Sequence, residues 1–223
     1  MKEGLLKEAF IKFISGVVIM GFLLFASAGT FSWVNAWFFM CLLFIPMLIA
    51  GIIMYLKAPN LLKKRLKAKE TQKEQKSVII YSTIMFLTSF IIAGLNYHFQ
   101  WIGLPKVLVI IGVIIFVLSY LMFGEVLREN EFLSRTIEVQ EGQKVVDTGL
   151  YCIMRHPMYS ATIFLFLSMP LVLGSPLSFL IMLLYIPIIV KRVRNEELVL
   201  ETQLEGYKEY KNKVKYRIFP YIW

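Results

Sequence analysis

The chain has 223 residues, 58% of them hydrophobic and 15% aromatic, and a formal net charge of +9; its mean hydropathy is +0.67. Soluble domains are roughly 45–50% apolar, so this composition reads as an integral membrane protein and sets aside a water-soluble enzyme. The positive charge is assigned to basic residues that flank membrane spans and meet anionic lipid; no nucleic-acid motif accompanies it.

Four apolar stretches come first: Phe10–Ala28, Val34–Leu56, Val78–Tyr97 and Leu104–Leu127. Each is about 20 residues, enough to cross a hydrocarbon core of about 30 Å as helix. The first has a rival reading. Lys2, Lys7 and Lys12 precede an apolar run ending in "FASAG", where Ala26 and Ala28 frame a small-residue site like that of a signal peptide. A retained span is expected.

Loop charge sets the orientation. "LKAPNLLKKRLKAKETQKEQKS", between spans two and three, carries Lys57, Lys63, Lys64, Arg65, Lys67, Lys69, Lys73 and Lys76 against Glu70 and Glu74. "GTFSWVNA" has no charge, and "NYHFQWIGLPK" has only Lys106. With both termini in the cytoplasm, every Lys and Arg except Lys106 falls on the cytoplasmic side, a positive-inside pattern. Trp33, Trp37, Tyr97 and Trp101 fit interfacial anchors.

The polar stretch "SRTIEVQEGQKVVDTG" alternates apolar and polar residues around Glu141–Gly142 and predicts a short β-hairpin, Thr136–Val139 with Lys144–Val146. A fifth apolar region, Met158–Val190, is split by "GSP" at Gly174–Pro176. Glycine and proline break helices, so this region predicts a helical hairpin that enters and leaves the membrane, each arm about 24 Å long. After Val190 the pattern is amphipathic and helical, and Gly206 divides it into two short helices. The expected architecture is an all-α polytopic membrane protein of six segments. Residues 1–127 hold four spans; residues 128–223 form a cofactor-binding and catalytic region that includes the hairpin 158–190. Cys41, Cys152, His98 and His156 are too few and too scattered for a disulfide framework or a zinc site, so no metal is expected.

Two polar clusters abut the hairpin on one membrane face: Arg155-His156-Pro157-Met158-Tyr159 at its start, and Lys191-Arg192-Val193-Arg194-Asn195-Glu196-Glu197 at its end. Ionisable groups at a membrane boundary are costly to desolvate and often functional. Each residue alone has a plain structural use. Arg155 and Arg192 can anchor phosphates, and Pro157 can simply start a helix. Glu196 can pair with Arg192 across one turn, and Tyr159 can sit at the interface. Those uses do not explain why both clusters occur at the two ends of one hairpin.

Together the clusters carry a resemblance. "TGLYCIMRHPMYSA" resembles the "TGPYxxxRHPxYxG" motif of the isoprenylcysteine carboxyl methyltransferase family, relatives of phospholipid methyltransferases. "RVRNEELVL" is similar to that family's "RxxxEExxL", and "LEGYKEYKNKVKYRIFPYIW" to an ending common in its bacterial members. The resemblance covers about Asn130–Trp223. It implies a membrane-embedded methyltransferase that uses S-adenosylmethionine and a lipophilic acceptor from the bilayer, in a bacterial inner membrane. It implies that Gly149, Tyr151, His156, Pro157, Tyr159, Glu196 and Glu197 bind the cofactor and that Arg192 and Arg155 serve catalysis. Leu150 stands where the family often has proline, and Ala161 where it often has glycine.

The chemistry suits the implication. The amides opened at Pro157 can receive the cofactor carboxylate. Glu196 or Glu197 can accept from its ammonium or ribose hydroxyls, and Tyr151 or Tyr159 can face the sulfonium. A carboxylate acceptor needs a cation to hold it, for which Arg192 is the first choice; an amine acceptor needs a base, for which His156 or a glutamate would serve. The residues leave the acceptor open. A carboxyl group on an isoprenylcysteine-like or lipid-like molecule is favoured, with a phospholipid amine as the alternative. A nicotinamide-dependent membrane reductase and a non-enzymatic lipid-binding protein are the readings outside the class.

Overall fold

The computed structural model describes residues 2–66, 73–134 and 136–223. Within them run α1 (Lys2–Ala28), α2 (Val34–Lys57), α3 (Pro59–Leu66), α4 (Lys73–Phe99), α5 (Lys106–Glu129), α6 (Pro157–Leu173), α7 (Pro176–Met182), α8 (Tyr185–Gln203) and α9 (Tyr207–Lys213). Five stretches are long and apolar enough to cross a membrane: Gly4–Ala28, Val34–Lys57, Gln75–Phe99, Lys106–Glu129 and Pro176–Gln203. Pro157–Leu173 is a shorter apolar helix. The all-α polytopic architecture is therefore as expected, with no strand among the described residues. Part of the basic loop, residues 67–72, lies outside them.

Local chemistry sets most helix ends. Gly29 ends α1 at a φ of +66°, a conformation that glycine adopts without a Cβ penalty. Pro59 opens α3 at the first helical position, where a missing N–H costs nothing. The helix α3 was not anticipated. It buries Leu61 and Leu62 and leaves Lys63, Lys64 and Arg65 in its last turn.

The "GSP" tip works in three steps. Gly174 caps α6 at a φ of +77°, its amide on the Leu171 carbonyl. The Ser175 hydroxyl accepts from the Ser178 amide, and Pro176 starts α7. A second break at Leu183–Leu184 separates α7 from α8. Pro187 explains it: proline has no N–H and its ring clashes with the carbonyl four residues back, which is that of Leu183.

Helix α6 is the hub, touching α2, α4, α5, α7 and α8, with α5 its most extensive neighbour. The core between α1, α2, α4, α5 and α6 is aromatic and aliphatic, centred on Leu24, Phe39, Phe90 and Phe116. Outward-facing Phe10, Phe22, Ile49, Leu56, Ile110, Leu118 and Leu121 stay exposed, as lipid-facing positions of a membrane helix do. One end of the bundle is tied by Lys12 Nζ to the Leu66 carbonyl (2.5 Å), Lys64 Nζ to the Glu131 carbonyl (3.2 Å) and Lys191 Nζ to Ser77 Oγ (2.9 Å). At the other end Trp33 stacks on Tyr97 at 4.9 Å, and His98 Nδ1 lies 2.9 Å from the Ala28 carbonyl oxygen.

The predicted β-hairpin does not form. The chain reverses at the anticipated place, with the Gln143 amide on the Gln140 carbonyl (3.0 Å) and Gly142 at a φ of +71°. The flanks share one apolar cluster yet form no ladder. Val139 and Val145 pack toward Leu200, Leu204 and Tyr207, while Val146 packs toward Leu133 and Tyr151. Side chains stand in for a ladder: Gln140 Nε2 donates to the Phe132 carbonyl (2.6 Å) and the Gln140 amide to Gln143 Oε1 (2.9 Å).

Close approach of α5 to α6 depends on Gly112. A Cβ there would lie 2.6 Å from Leu171 Cβ and 3.2 Å from the Leu171 backbone. Gly112→Ala should therefore destabilise the bundle by about 1–3 kcal/mol, read as a lower unfolding temperature in detergent. Gly51→Ala, whose Cβ would meet nothing within 4 Å, should leave that temperature unchanged or raise it.

Candidate active site

The two polar clusters meet, and the tail joins them. Met154 forms a parallel bridge with Tyr216. The Arg155 amide donates to the Tyr216 carbonyl (2.9 Å) and the His156 amide to the Arg217 carbonyl (2.8 Å). The "MRH" segment is thereby held against "YR" of the tail before Pro157 turns it into α6.

Glu197 of α8 sits at the centre, its side chain 3% exposed. Arg155 Nε donates to its Oε1 at 2.7 Å and Arg217 Nε to its Oε2 at 2.7 Å. His156 Nε2 lies 3.3 Å from Oε1. Arg155 Nη1 also donates to the carbonyls of Val214 (2.6 Å) and Lys215 (2.9 Å). The Arg217 guanidinium lies 4.9 Å from the Trp223 ring centroid, a cation–π contact. Charges this deep need full pairing and hydrogen bonding, and the tail carbonyls and Arg217 complete it.

Glu196 has a different environment. Consecutive helix residues point roughly 100° apart, so Glu196 turns away from the lock and into a cleft. Tyr159 donates to its Oε2 at 2.5 Å, and His156 Nδ1 lies 3.9 Å from its Oε1. Arg192 Nε, one turn earlier on α8, donates to the same Tyr159 oxygen at 2.9 Å. The Tyr159 hydroxyl thus receives from Arg192 and gives to Glu196.

The cleft is open on one side, and with its mouth included it takes in about 830 Å³ of non-atom space. Its polar wall includes Arg155, His156, Tyr159, Arg192 and Glu196. Leu133, Ile137, Val146, Met158, Val199 and Leu200 make it apolar elsewhere. Residues 132–134, 136–138 and 143–146 contribute to its lining, as do α8 and α9. Tyr151 lines it from the 3₁₀ turn Gly149–Cys152. Its hydroxyl accepts from Asn130 Nδ2 at 2.9 Å, and burial pushes that hydroxyl up to about 12, so it is protonated.

Of the residues singled out in the sequence, Tyr151, Arg155, His156, Tyr159, Arg192 and Glu196 line the cleft. Gly149, Pro157 and Glu197 stand behind its wall. Gly149 has a φ of +53°, and a Cβ there would lie 3.0 Å from the Glu129 carboxyl carbon. Pro157 is buried at the start of α6, and the Tyr159 amide is already taken by the His156 carbonyl at 3.0 Å. The turn that carries Leu150 is closed by the Tyr151 amide on the Thr148 carbonyl at 2.9 Å. Ala161 is fully buried within α6, away from the cleft lining.

Arg217, Tyr207 and Tyr210 were not singled out. Arg217 is the second cation on Glu197, and the two tyrosines line the cleft. The signal was there in "GYKEYKNKVKYR", but only tertiary pairing gives those residues a task.

Removing the central carboxylate leaves Arg155 buried without a counter-charge. Glu197→Ala should destabilise the C-terminal region by about 3–5 kcal/mol, and Arg217→Ala by less, since Arg217 is 30% exposed. Denaturation in detergent with protease digestion checks this: cleavage within residues 204–223 should rise in Glu197→Ala.

Two comparisons bear on what this site is. A stretch of 143 residues is 29% identical to the Delta(14)-sterol reductase of Mus musculus, covering 58% of this chain and 34% of the reductase. The chain therefore spans about a third of the length of that relative. Residues 100–205, which carry α5, the cleft-lining loop, the hairpin and both polar clusters, match the phospholipid methyltransferase family.

Proposed function

We propose that the protein is a membrane methyltransferase that uses S-adenosylmethionine and modifies a lipophilic acceptor. The observation that carries this reading is the Arg192–Tyr159–Glu196 chain facing a half-apolar cleft at one end of an apolar bundle. Similarity to phospholipid methyltransferases over these same residues supports it.

The residues present fit the cofactor. Glu196 lines the cleft and is 23% exposed, so it keeps accepting capacity for an ammonium or for ribose hydroxyls, whereas Glu197 is spent on Arg155 and Arg217. Tyr207 lines the cleft with a buried hydroxyl that has no protein partner. S-adenosylmethionine, when bound, supplies an electrophilic methyl group on a sulfonium. The protein's part is to position the reactants and exclude water.

In this reading Arg192 holds the acceptor, which favours a carboxylate on an isoprenylcysteine-like or lipid-like molecule. Arg155, with Nε and Nη1 bound to Glu197 and the tail, has a holding role. The cleft end of the bundle, where Lys12, Lys64 and Lys191 also lie, faces the cytoplasm and its soluble cofactor. Two readings with other chemistry are a phospholipid amine acceptor and, favoured by the 29% identity to a sterol reductase, a reductase.

Membranes containing the protein, incubated with methyl-labelled S-adenosylmethionine, should yield a lipid-extractable product bearing a base-labile methyl ester. A methylated head group would point instead to an amine acceptor. Micromolar binding of reduced nicotinamide dinucleotide phosphate without any binding of S-adenosylmethionine would overturn the reading. Glu196→Gln should weaken cofactor binding by about tenfold or more. Arg192→Ala should lower kcat by about a hundredfold with cofactor Kd close to wild type.

A further inference from the structure

Tyr207 begins α9, directly after Gly206, which turns the chain at a φ of +79°. Its side chain is 4% exposed and lines the cleft. Its hydroxyl is closed to solvent and has no hydrogen-bond partner. Native proteins leave few buried polar groups in this state, and each calls for an explanation. The other tyrosines on the cleft are all engaged. Tyr151 accepts from Asn130, Tyr159 bridges Arg192 and Glu196, and Tyr210 donates to the Tyr151 carbonyl at 2.7 Å.

The surroundings restrict what could complete it. Tyr207 packs with Leu200, Leu204, Tyr210, Val139 and Val145, an apolar and aromatic wall. Burial, and secondarily the carboxylates of Glu197 and Glu196, hold its hydroxyl well above the ordinary tyrosine range, so it is a donor. An anionic ligand group here would meet those two carboxylates, while Arg155 is already bound to Glu197 and to two carbonyls. The fitting partner is an uncharged acceptor on a flat, largely apolar ring. A nucleobase nitrogen has this chemistry.

We propose that this end of the cleft is a nucleobase subsite, in which Tyr207 donates a hydrogen bond to a ring nitrogen of adenine. The inference rests on the S-adenosylmethionine reading above and names which part of that cofactor the α8–α9 corner recognises.

Calorimetric binding of S-adenosylmethionine to the purified full-length protein in lipid nanodiscs tests it, alongside Tyr207→Phe and the 1-, 3- and 7-deaza analogues of the cofactor. Tyr207→Phe should bind S-adenosylmethionine about tenfold more weakly, while the unfolding temperature of the cofactor-free variant stays level or rises, because an unpaired buried hydroxyl has been removed. One deaza analogue should lose about the same tenfold in the wild type and nothing further in Tyr207→Phe. Unchanged affinity in Tyr207→Phe overturns the inference. So does a lower unfolding temperature of the cofactor-free variant, which would make the hydroxyl structural. So does a full additional loss for every analogue in the variant. In each of these cases the cofactor reading survives, because the wild type binds. A wild type that does not bind S-adenosylmethionine at all overturns both.

Discussion

The buried Glu197 carboxylate is the constraint on which the rest of the site depends. It joins three stretches of chain that lie far apart in sequence: Arg155 before the hairpin, Glu197 after it, and Arg217 near the terminus. Desolvating such groups is expensive. Two arginines, the imidazole and the tail carbonyls on Arg155 meet that cost together, so the arrangement is stable as a set. Its geometric effect is to fix the register of α8 against the start of α6. Because Glu196 immediately precedes it on α8, holding Glu197 inside turns Glu196 toward the cleft. The two adjacent glutamates therefore have separate surroundings, one internal and one on the cleft.

The hairpin makes that meeting possible. Backbone polar groups inside a bilayer must be satisfied within the protein, which favours helix up to a sharp, well-capped tip. Gly174, Ser175 and Pro176 supply a left-handed cap, a side-chain cap and a preset first turn in three consecutive positions. The returning arm then breaks ahead of Pro187, and α8 runs on past Lys191 to Gln203. Arg192 and Glu196 consequently sit on a continuous helix rather than on a loop, which holds them to a fixed spacing of one turn.

Much of this was legible in the sequence because membrane physics is simple to read. Spans show as apolar length, and "GSP" shows as an interruption; both need only local information. Pro187 was equally readable, and its effect on the carbonyl of Leu183 follows from proline geometry alone. The alternation in residues 136–146 misled because period-two patterning reports that successive side chains face opposite ways, not that two strands pair. Here Val145 and Val146 do face opposite ways, toward two separate clusters, with side-chain hydrogen bonds closing the turn. The tail shows in the sequence only as a pattern, since its work is tertiary: the carbonyls of Tyr216 and Arg217 take the Arg155 and His156 amides, and the Arg217 side chain reaches Glu197. Carbonyls carry no sequence signature.

Tyr159 shows how the two halves of the site are coupled. Its hydroxyl oxygen accepts from Arg192 and its proton is directed at Glu196. Reversing that proton would point it at a guanidinium, which cannot accept, so the direction of the chain is set by charge alone. A ligand cation that engages Glu196 changes the electrostatic load on the tyrosine that orients Arg192. Under the methyltransferase reading, those two residues serve different reactants, one water-soluble and one from the bilayer.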